Sequence, residues 1–195
     1  MLKKKNLLEP ENMIMLYAQG AFPMADESGK LDWYFPEVRT IIPVDFFNHP
    51  RSLNKFLAYA DFEFKFDTCT MEVVRNCADR EETWISDELI IAYEKLRKAG
   101  YLHSVEVFQD KQLVGGLYGV SFGAAFFGES MFSKVSQASK SALIKLLFRL
   151  REKKFVLLDV QYMTEHLKMF GAKEISLEEY QSLLAEAYKY IPSFS

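Results

Sequence analysis

The segment HSVEVFQDKQLVGGLYGVSFGAAFFGE, residues 103–129, decides the fold of this chain. It contains three apolar runs, HSVEVF, QLVGGLYGV and AAFFGE, whose β-branched and aromatic residues are typical of strands. Only short polar or glycine-containing segments separate these runs. Short separations favour antiparallel pairing of successive strands, so the segment predicts a three-stranded meander.

Amphipathic helices and a further strand surround the predicted meander. The preceding segment, ISDELIIAYEKLRKAG, predicts a helix that Ser86 caps and Gly100 ends. After the meander, SQASKSALIKLLFRL predicts an amphipathic helix, and FVLLDVQ is apolar enough for a central strand. This order of elements predicts an α+β fold, in which helices pack on one sheet.

The bulk composition indicates a packed globular protein. The chain has 195 residues, of which 49% are hydrophobic and 26% are charged. It has no apolar run as long as a membrane span, and its N-terminal segment is too polar for a signal peptide, so we expect a cytoplasmic protein. Neither the spacing of Cys69 and Cys77 nor the scattered histidines matches a metal site, and we expect no metal.

Positive charge is concentrated in one segment of the chain. Residues 134–154 contain seven basic residues and one acid, a local charge of +6, whereas the whole chain has a net charge of −3. Such a segment can form a phosphate-binding face on an acidic protein. It can equally form an ordinary solvated helix face, and the sequence leaves both interpretations open.

Two carboxylates, Glu129 and Asp159, lie among large apolar residues. A buried charge is costly unless it is paired, so each carboxylate is either a structural partner or part of a site. Gln161 is two residues beyond Asp159, and in a regular strand both side chains would point to the same face. An acid beside an amide can orient an amine and accept its proton.

Familiar catalytic motifs are incomplete in this sequence. The segment GESMF, residues 128–132, lacks the last glycine of a nucleophile elbow, which argues against a serine hydrolase. The glycines of LVGGLYGVSFG form neither a GxGxxG motif nor a Walker motif, so no ATP site is predicted.

Taken in order, a series of motifs resembles the leucyl/phenylalanyl-tRNA–protein transferase family. The motifs are AQGAFPM, WYFPEVRTIIP, CADREETWIS, HSVEVF, LVGGLYGVSFG, FFGESMFS, QASKSAL and LLDVQ, and the match runs from about Tyr17 to Ala172. The resemblance implies an acetyltransferase-like core with a mixed sheet, which we place at residues 61–195, and a small N-terminal lobe, which we place at residues 1–60.

The resemblance also implies a reaction and its partners. Members of the family transfer Leu or Phe, and less well Met, from aminoacyl-tRNA to proteins that begin with Arg or Lys. The transfer marks those proteins for N-end-rule degradation. The aminoacyl ester is already activated, so no cofactor is expected, and we expect a monomer.

Site residues follow from matching positions in the family and from the basic segment. We expect catalytic roles for Asp159, Gln161 and Glu129, an aminoacyl pocket, a stacking site for the aminoacyl-adenosine, and contacts to tRNA phosphates. The expected pocket residues are Leu117, Phe126, Leu143 and Leu146; the stacking residues are Trp84 and Trp33; and the phosphate contacts are Lys140, Lys145, Arg149, Arg51 and Lys55. Aromatic residues in loops can also be peripheral core, and that alternative stays open for both tryptophans.

Two other functions compete with this interpretation. An acetyltransferase-like enzyme that uses acyl-CoA would need a glycine-containing pyrophosphate loop, but the corresponding segment KVSQASKSA has no glycine. A binding module without catalysis is the other alternative. For the site itself, we predict that Glu129 and Asp159 lie on neighbouring strands and face one cavity, whereas a structural role would pair Glu129 with a cation such as Arg80.

Overall fold

A computed structural model describes residues 7–26, 28, 30–81 and 83–195 of the chain. The helices are α1 (Pro10–Ala18), α2 (Arg51–Leu57), α3 (Thr70–Ala78), α4 (Asp87–Lys98), α5 (Ala138–Glu152), α6 (Glu165–Lys168) and α7 (Leu177–Ala187). The strands are β1 (Phe22–Ala25), β2 (Leu31–Tyr34), β3 (Val38–Ile42), β4 (Glu63–Phe66), β5 (Leu102–Gln109), β6 (Gln112–Phe122), β7 (Ala125–Ser133), β8 (Leu157–Gln161) and β9 (Lys173–Ser176).

A seven-stranded mixed sheet with the order β4-β5-β6-β7-β8-β3-β9 forms the centre of the molecule. The predicted meander is confirmed, because β5, β6 and β7 pair antiparallel in sequence order. Strand β8 pairs parallel with β7, and α5 makes the crossover that parallel neighbours require. The predicted α+β class is therefore confirmed.

Helices cover both faces of the sheet and create two apolar cores. Helices α1, α3, α4 and α7 contribute buried residues to one core, including Met13, Val73 and Leu89. Helices α2 and α5 contribute to the other core, including Leu53 and Leu147. The cap predicted for α4 is present, since Ser86 accepts a hydrogen bond from the backbone N–H of Leu89.

The N-terminal region forms a hairpin and also contributes to the large sheet. Strands β1 and β2 make a separate two-stranded sheet, whereas β3 lies between β8 and β9. One strand of the expected N-terminal lobe, residues 1–60, is thus part of the large sheet of the expected core, residues 61–195. The domain boundary at residue 60 stays a prediction. Strand β9 (sequence KEIS) was not predicted, because it is short and polar and its residues other than Ile175 are exposed.

The pairing of β7 with β8 is short, and this leaves an opening in the sheet. The two strands pair only where Ala125–Phe127 faces Leu157–Asp159, although β7 continues along β6 to Ser133. Strand β8 ends at Gln161, whose φ of 64° lies in the left-handed region. The strands therefore diverge beyond Phe127, and the divergence creates a wedge. In the described part of the chain, no helix is long and apolar enough to cross a membrane.

Candidate active site

A cavity of about 310 Å³ occupies this wedge. Strand β6 contributes Leu117 to its wall, and α5 contributes Leu143 and Leu146. The loop before α4 contributes Trp84. Glu129 and Gln161 lie on the same cavity, so the structure brings together four of the predicted pocket and stacking residues with two of the predicted catalytic residues.

Glu129 is the carboxylate on this cavity, and its partners are uncharged. Its side chain accepts a hydrogen bond from the Tyr93 hydroxyl at 2.7 Å and another from the Gln161 amide at 3.1 Å. Among the described residues, no lysine or arginine nitrogen lies within ion-pairing distance of it. The proposed structural partner, Arg80, instead donates to the backbone carbonyl of Met131.

Burial without a cation changes the acidity of Glu129. Desolvation raises the pKa of its carboxyl from 4.5 to about 8, and the nearby charge of Asp159 adds to the rise. Hydrogen bonding from Tyr93, Tyr17 and Gln161 acts in the opposite direction, because it favours the ionised form. The result is a carboxyl group that gains and loses its proton near neutral pH.

Asp159 lies on the strand next to that of Glu129, as predicted, but it does not line the cavity. It is 1% exposed and forms a buried ion pair with Arg39, which is also 1% exposed. The Tyr180 hydroxyl donates a hydrogen bond to the same carboxylate at 2.7 Å. The prediction that both carboxylates face one cavity is therefore wrong for Asp159, because a buried arginine holds it inside the core.

Gln161 connects the two carboxylates. Its backbone N–H donates to Asp159 Oδ1 at 2.8 Å, and its side-chain amide donates to Glu129. The pairing of β8 with β3 shifts register here, since Thr40 faces Gln161 and Ile41 faces Asp159. This irregularity breaks the alternation that predicted one face for both side chains, so Asp159 holds the backbone of Gln161 while the side chain reaches the cavity.

Two of the predicted ligand-contacting residues lie elsewhere. Phe126 is fully buried in the core, where its ring stacks on Phe194 with a centroid distance of 5.4 Å. Trp33 packs edge-to-face on Tyr17 and lines a different cavity, together with Leu8 and Leu31. The structure does not bring either residue to the wall of the Glu129 cavity.

The basic residues predicted to contact phosphates differ in how far their side chains are packed against the protein. Lys145 lies over the Phe64 ring at 4.7 Å, and Arg149 lies over Phe66 and donates to the Phe194 carbonyl. On α2, which packs against α5, Arg51 and Lys55 are exposed. Lys140 is half-buried near His166, whose pKa is lowered by desolvation and by that lysine.

Sequence reasoning did not assign a role to Tyr93, Tyr17 or Tyr180. All three are buried hydroxyl groups near a site carboxylate: Tyr93 contacts Glu129, the Tyr17 hydroxyl lies 3.5 Å from that of Tyr93, and Tyr180 contacts Asp159. The available signal was a tyrosine on the apolar stripe of a helix, since a buried tyrosine hydroxyl usually has a polar partner. In the described residues, no group of three or more His, Cys, Asp or Glu side chains is placed to hold a metal ion.

One solved structure aligns with part of this chain. A PaiA N-acetyltransferase from Thermoplasma acidophilum in complex with coenzyme A aligns with 51% of this chain and 77% of its own chain, at 15% identity and a TM-score of 0.35. The described elements form a mixed sheet with packed helices, which confirms the α+β class, and the acetyltransferase-like type stays an expectation from the sequence.

Comparisons at the level of sequence are far closer. The family model described as leucyl/phenylalanyl-tRNA protein transferase matches residues 41–185, and the model of its N-terminal domain matches residues 6–37. A leucyl/phenylalanyl-tRNA–protein transferase from Herpetosiphon aurantiacus is 48% identical over 96% of this chain and 98% of its own length. The Paramagnetospirillum magneticum protein of the same name is 49% identical over 92% of this chain and 89% of its own. The chain belongs to the leucyl/phenylalanyl-tRNA protein transferase family.

Proposed function

We propose that this protein transfers Leu or Phe, and less well Met, from aminoacyl-tRNA to the α-amine of proteins that begin with Arg or Lys. The observation that carries the proposal is the Glu129 cavity: its walls are largely apolar, and a carboxylate with no cationic partner among the described residues lies on it. Apolar walls suit the side chain of Leu or Phe, and the free carboxylate suits an incoming amine. Modified acceptors would then enter the N-end-rule pathway.

The reaction requires positioning and a route for one proton. The acceptor nitrogen forms a bond to the ester carbonyl carbon, and the bond from that carbon to the ribose oxygen of the tRNA breaks. The nitrogen loses one proton and the ribose oxygen gains one, so no net proton is consumed. A group that accepts a proton near neutral pH and then returns it is sufficient.

Glu129 is the group best suited to carry this proton. Its pKa of about 8 lies close to that of a free α-amine, which is about 7.7–8.0. It also lies on the cavity, whereas the carboxylate of Asp159 is enclosed by Arg39 and Tyr180. In this proposal Glu129 accepts the proton, Gln161 orients the amine, and Asp159 acts indirectly, because it fixes the backbone of Gln161.

The donor occupies the remainder of the cavity. Leu117, Leu143 and Leu146 would contact the aminoacyl side chain, and Trp84 would lie against the terminal adenosine. The exposed Arg51 and Lys55, with Lys140, would meet tRNA phosphates, while Lys145 and Arg149 would add their charge from positions packed on aromatic rings. Binding of the tRNA would then weaken with salt, since contacts to phosphates release counterions.

A transfer assay tests the proposal. Purified protein is incubated with radiolabelled Leu-tRNA or Phe-tRNA and a peptide that begins with Arg, and label is measured in the peptide. We expect label in this peptide and none in the same peptide with an acetylated N-terminus. A parallel reaction with radiolabelled acetyl-CoA tests the alternative donor. Label from acetyl-CoA, with none from aminoacyl-tRNA, would replace aminoacyl transfer with acyl-CoA chemistry.

A further inference from the structure

Four exposed apolar residues, Tyr34, Phe35, Val38 and Tyr162, lie on segments next to the cavity, and we refer to them as the aromatic shelf. Tyr34 is 36% exposed, Phe35 and Val38 are each 55% exposed, and Tyr162 is 47% exposed. The shelf comes from the end of β2, the loop after it, the start of β3 and the residue after β8. Large apolar side chains grouped at the surface often mark a binding surface.

The shelf is continuous with the Glu129 cavity. Tyr162 directly follows Gln161 and itself lines the cavity. The buried Phe22 lies beneath the shelf: its ring stacks on Tyr34 at a centroid distance of 6.3 Å and meets Tyr162 edge-on at 5.6 Å. The hairpin of β1 and β2 thereby packs Tyr34 close to the end of β8, next to Gln161.

Charge around the shelf favours a polypeptide over a nucleic acid. Residues 31–38 contain two acids, Asp32 and Glu37, both exposed, and no basic residue. The following residue, Arg39, is buried in its ion pair with Asp159. Phosphates would find no cation within residues 31–38, whereas residues 134–154 have a local charge of +6.

We propose that the aromatic shelf binds the extended N-terminal segment of the acceptor polypeptide and favours an apolar or aromatic second residue. This inference rests on the proposed function, because it requires the acceptor amine to lie between Glu129 and Gln161. An extended chain advances by about 3.3 Å per residue, and we place the second side chain of the acceptor against Tyr162, which directly follows Gln161. The first residue is selected inside the cavity and the second on the shelf.

Peptides that differ only at the second position test the inference. Transfer is measured to Arg-Phe, Arg-Leu, Arg-Ser and Arg-Asp peptides of otherwise identical sequence. We expect kcat/KM for the Arg-Phe peptide to exceed that for the Arg-Ser peptide by about tenfold, which is within the range for one apolar contact in a pocket. Equal values for all four peptides, in an active wild-type enzyme, would overturn the inference while the proposed function stands.

Variants of the shelf residues test whether the shelf causes the preference for the second residue of the acceptor. In Phe35→Ser and Tyr162→Ser, the ratio of Arg-Phe to Arg-Ser should fall toward one, with transfer to the Arg-Ser peptide retained in Phe35→Ser. The matched controls are Phe46→Ser and Tyr59→Ser, since these aromatic residues are 86% and 92% exposed but lie outside the shelf. A preference that survives in both shelf variants would overturn the inference.

Two further measurements separate the remaining outcomes. The affinity for aminoacyl-tRNA should be unchanged in Phe35→Ser, and a loss of that affinity without a change in the peptide ratio would assign the shelf to the tRNA instead. Fluorescence anisotropy with labelled Arg-Phe and Arg-Ser peptides reports binding without transfer. If the wild-type protein transfers nothing, the proposed function fails, and the two peptide affinities still decide whether the shelf binds polypeptide.

Discussion

Glu129 and Asp159 lie on neighbouring strands and are almost equally buried, at 8% and 1% exposure, but their surroundings differ. Asp159 faces a buried arginine and the hydroxyl of Tyr180. Glu129 receives hydrogen bonds from Tyr93 and Gln161 and has no basic partner among the described residues. The difference shows that burial alone does not identify a functional carboxylate, because the charge of its partners decides what it can do.

The two environments have opposite consequences. The Arg39–Asp159 pair is enclosed by the protein and closed to ligands. The guanidinium also donates to the Gly20 carbonyl and lies 4.4 Å from the centroid of the Tyr180 ring. It joins β3, β8 and α7 and leaves Asp159 with no room for a substrate. The Glu129 carboxyl is open to a ligand on one side, and a cationic or amine ligand would lower its pKa.

The largest effect is expected at the closed carboxylate. Asp159→Asn removes one partner of a buried ion pair and leaves the charge of Arg39 uncompensated, which typically costs about 3–5 kcal/mol of unfolding free energy. Urea denaturation of the variant measures this loss. The matched control is Glu9→Gln, which breaks the half-exposed pair with Lys95 and should cost less than about 1 kcal/mol. If Asp159→Asn also lowered the unfolding free energy by less than about 1 kcal/mol, Asp159 would not have the structural role that distinguishes it from Glu129.

At the open carboxylate we expect a loss of activity without a loss of stability. Glu129→Gln keeps the side-chain shape but cannot accept a proton, so kcat for transfer should fall by about 10²–10⁴-fold. Transfer is measured with saturating Phe-tRNA and an Arg peptide, and circular dichroism compares the melting temperatures. A variant with wild-type kcat would exclude Glu129 as the proton acceptor, and a variant that melts far earlier would indicate a structural role.

The same substitution should also change how stability depends on pH. Between pH 4.5 and about 8 the folded protein keeps the Glu129 proton that the unfolded chain has lost, so the unfolding free energy decreases as pH rises. The contribution is fully present below pH 4.5 and lost above about pH 8. Glu129→Gln lacks this titration, so its stability relative to the wild type should improve across that interval. Parallel curves for the two proteins would contradict the raised pKa.

The fold could be predicted from the sequence where local patterns are strong. The meander of residues 103–129 and the capped helix α4 have clear apolar periodicity, and both are confirmed. Strand β9 could not be found, since its short sequence is mostly polar and it is stabilised by its pairing with β3, which is distant in the chain.

The site could be predicted only in part, for a similar reason. Glu129 was identified because a carboxylate among phenylalanines is conspicuous in any sequence. The pairing of Asp159 with Arg39 joins residues 120 positions apart, and no local pattern shows such a contact. The role of Tyr93 was hidden because a tyrosine on the apolar stripe of a helix is equally consistent with simple packing.

Helix α5 offers a similar comparison, between a leucine that lines the cavity and a leucine that lies only in the core. Leu146 lines the cavity, whereas Leu150, one turn later on the same helix, is buried in the core away from it. Leu146→Ala should enlarge the pocket and shift donor preference from Leu toward bulkier residues by about 1–3 kcal/mol. Leu150→Ala should cost about 2–5 kcal/mol of stability and leave the preference unchanged. Competition between Leu-tRNA, Phe-tRNA and Trp-tRNA measures the preference, and equal ratios in both folded variants would place the donor pocket elsewhere.

The smallest effect is expected from a single hydroxyl group next to the open carboxylate. Tyr93 donates to Glu129 and thereby favours its ionised form, against the desolvation that raises the pKa. The Tyr17 hydroxyl lies 3.5 Å from that of Tyr93, and it also lowers the pKa of Glu129. Tyr93→Phe removes the donor to the carboxylate and should raise the pKa of Glu129 further.

A pH–rate profile detects this change. The rate of transfer should rise with pH as Glu129 ionises, with a midpoint near pH 8 in the wild type. In Tyr93→Phe the midpoint should move upward by about one unit with a similar plateau, because one hydrogen bond to a charged group is worth about that much. The acceptor amine titrates identically in both proteins, so the shift belongs to the enzyme. Tyr190→Phe, which removes a surface hydrogen bond to Glu186, should leave the midpoint unchanged. A lower plateau at an unshifted midpoint would mean that Tyr93 packs against Glu129 without tuning its proton affinity.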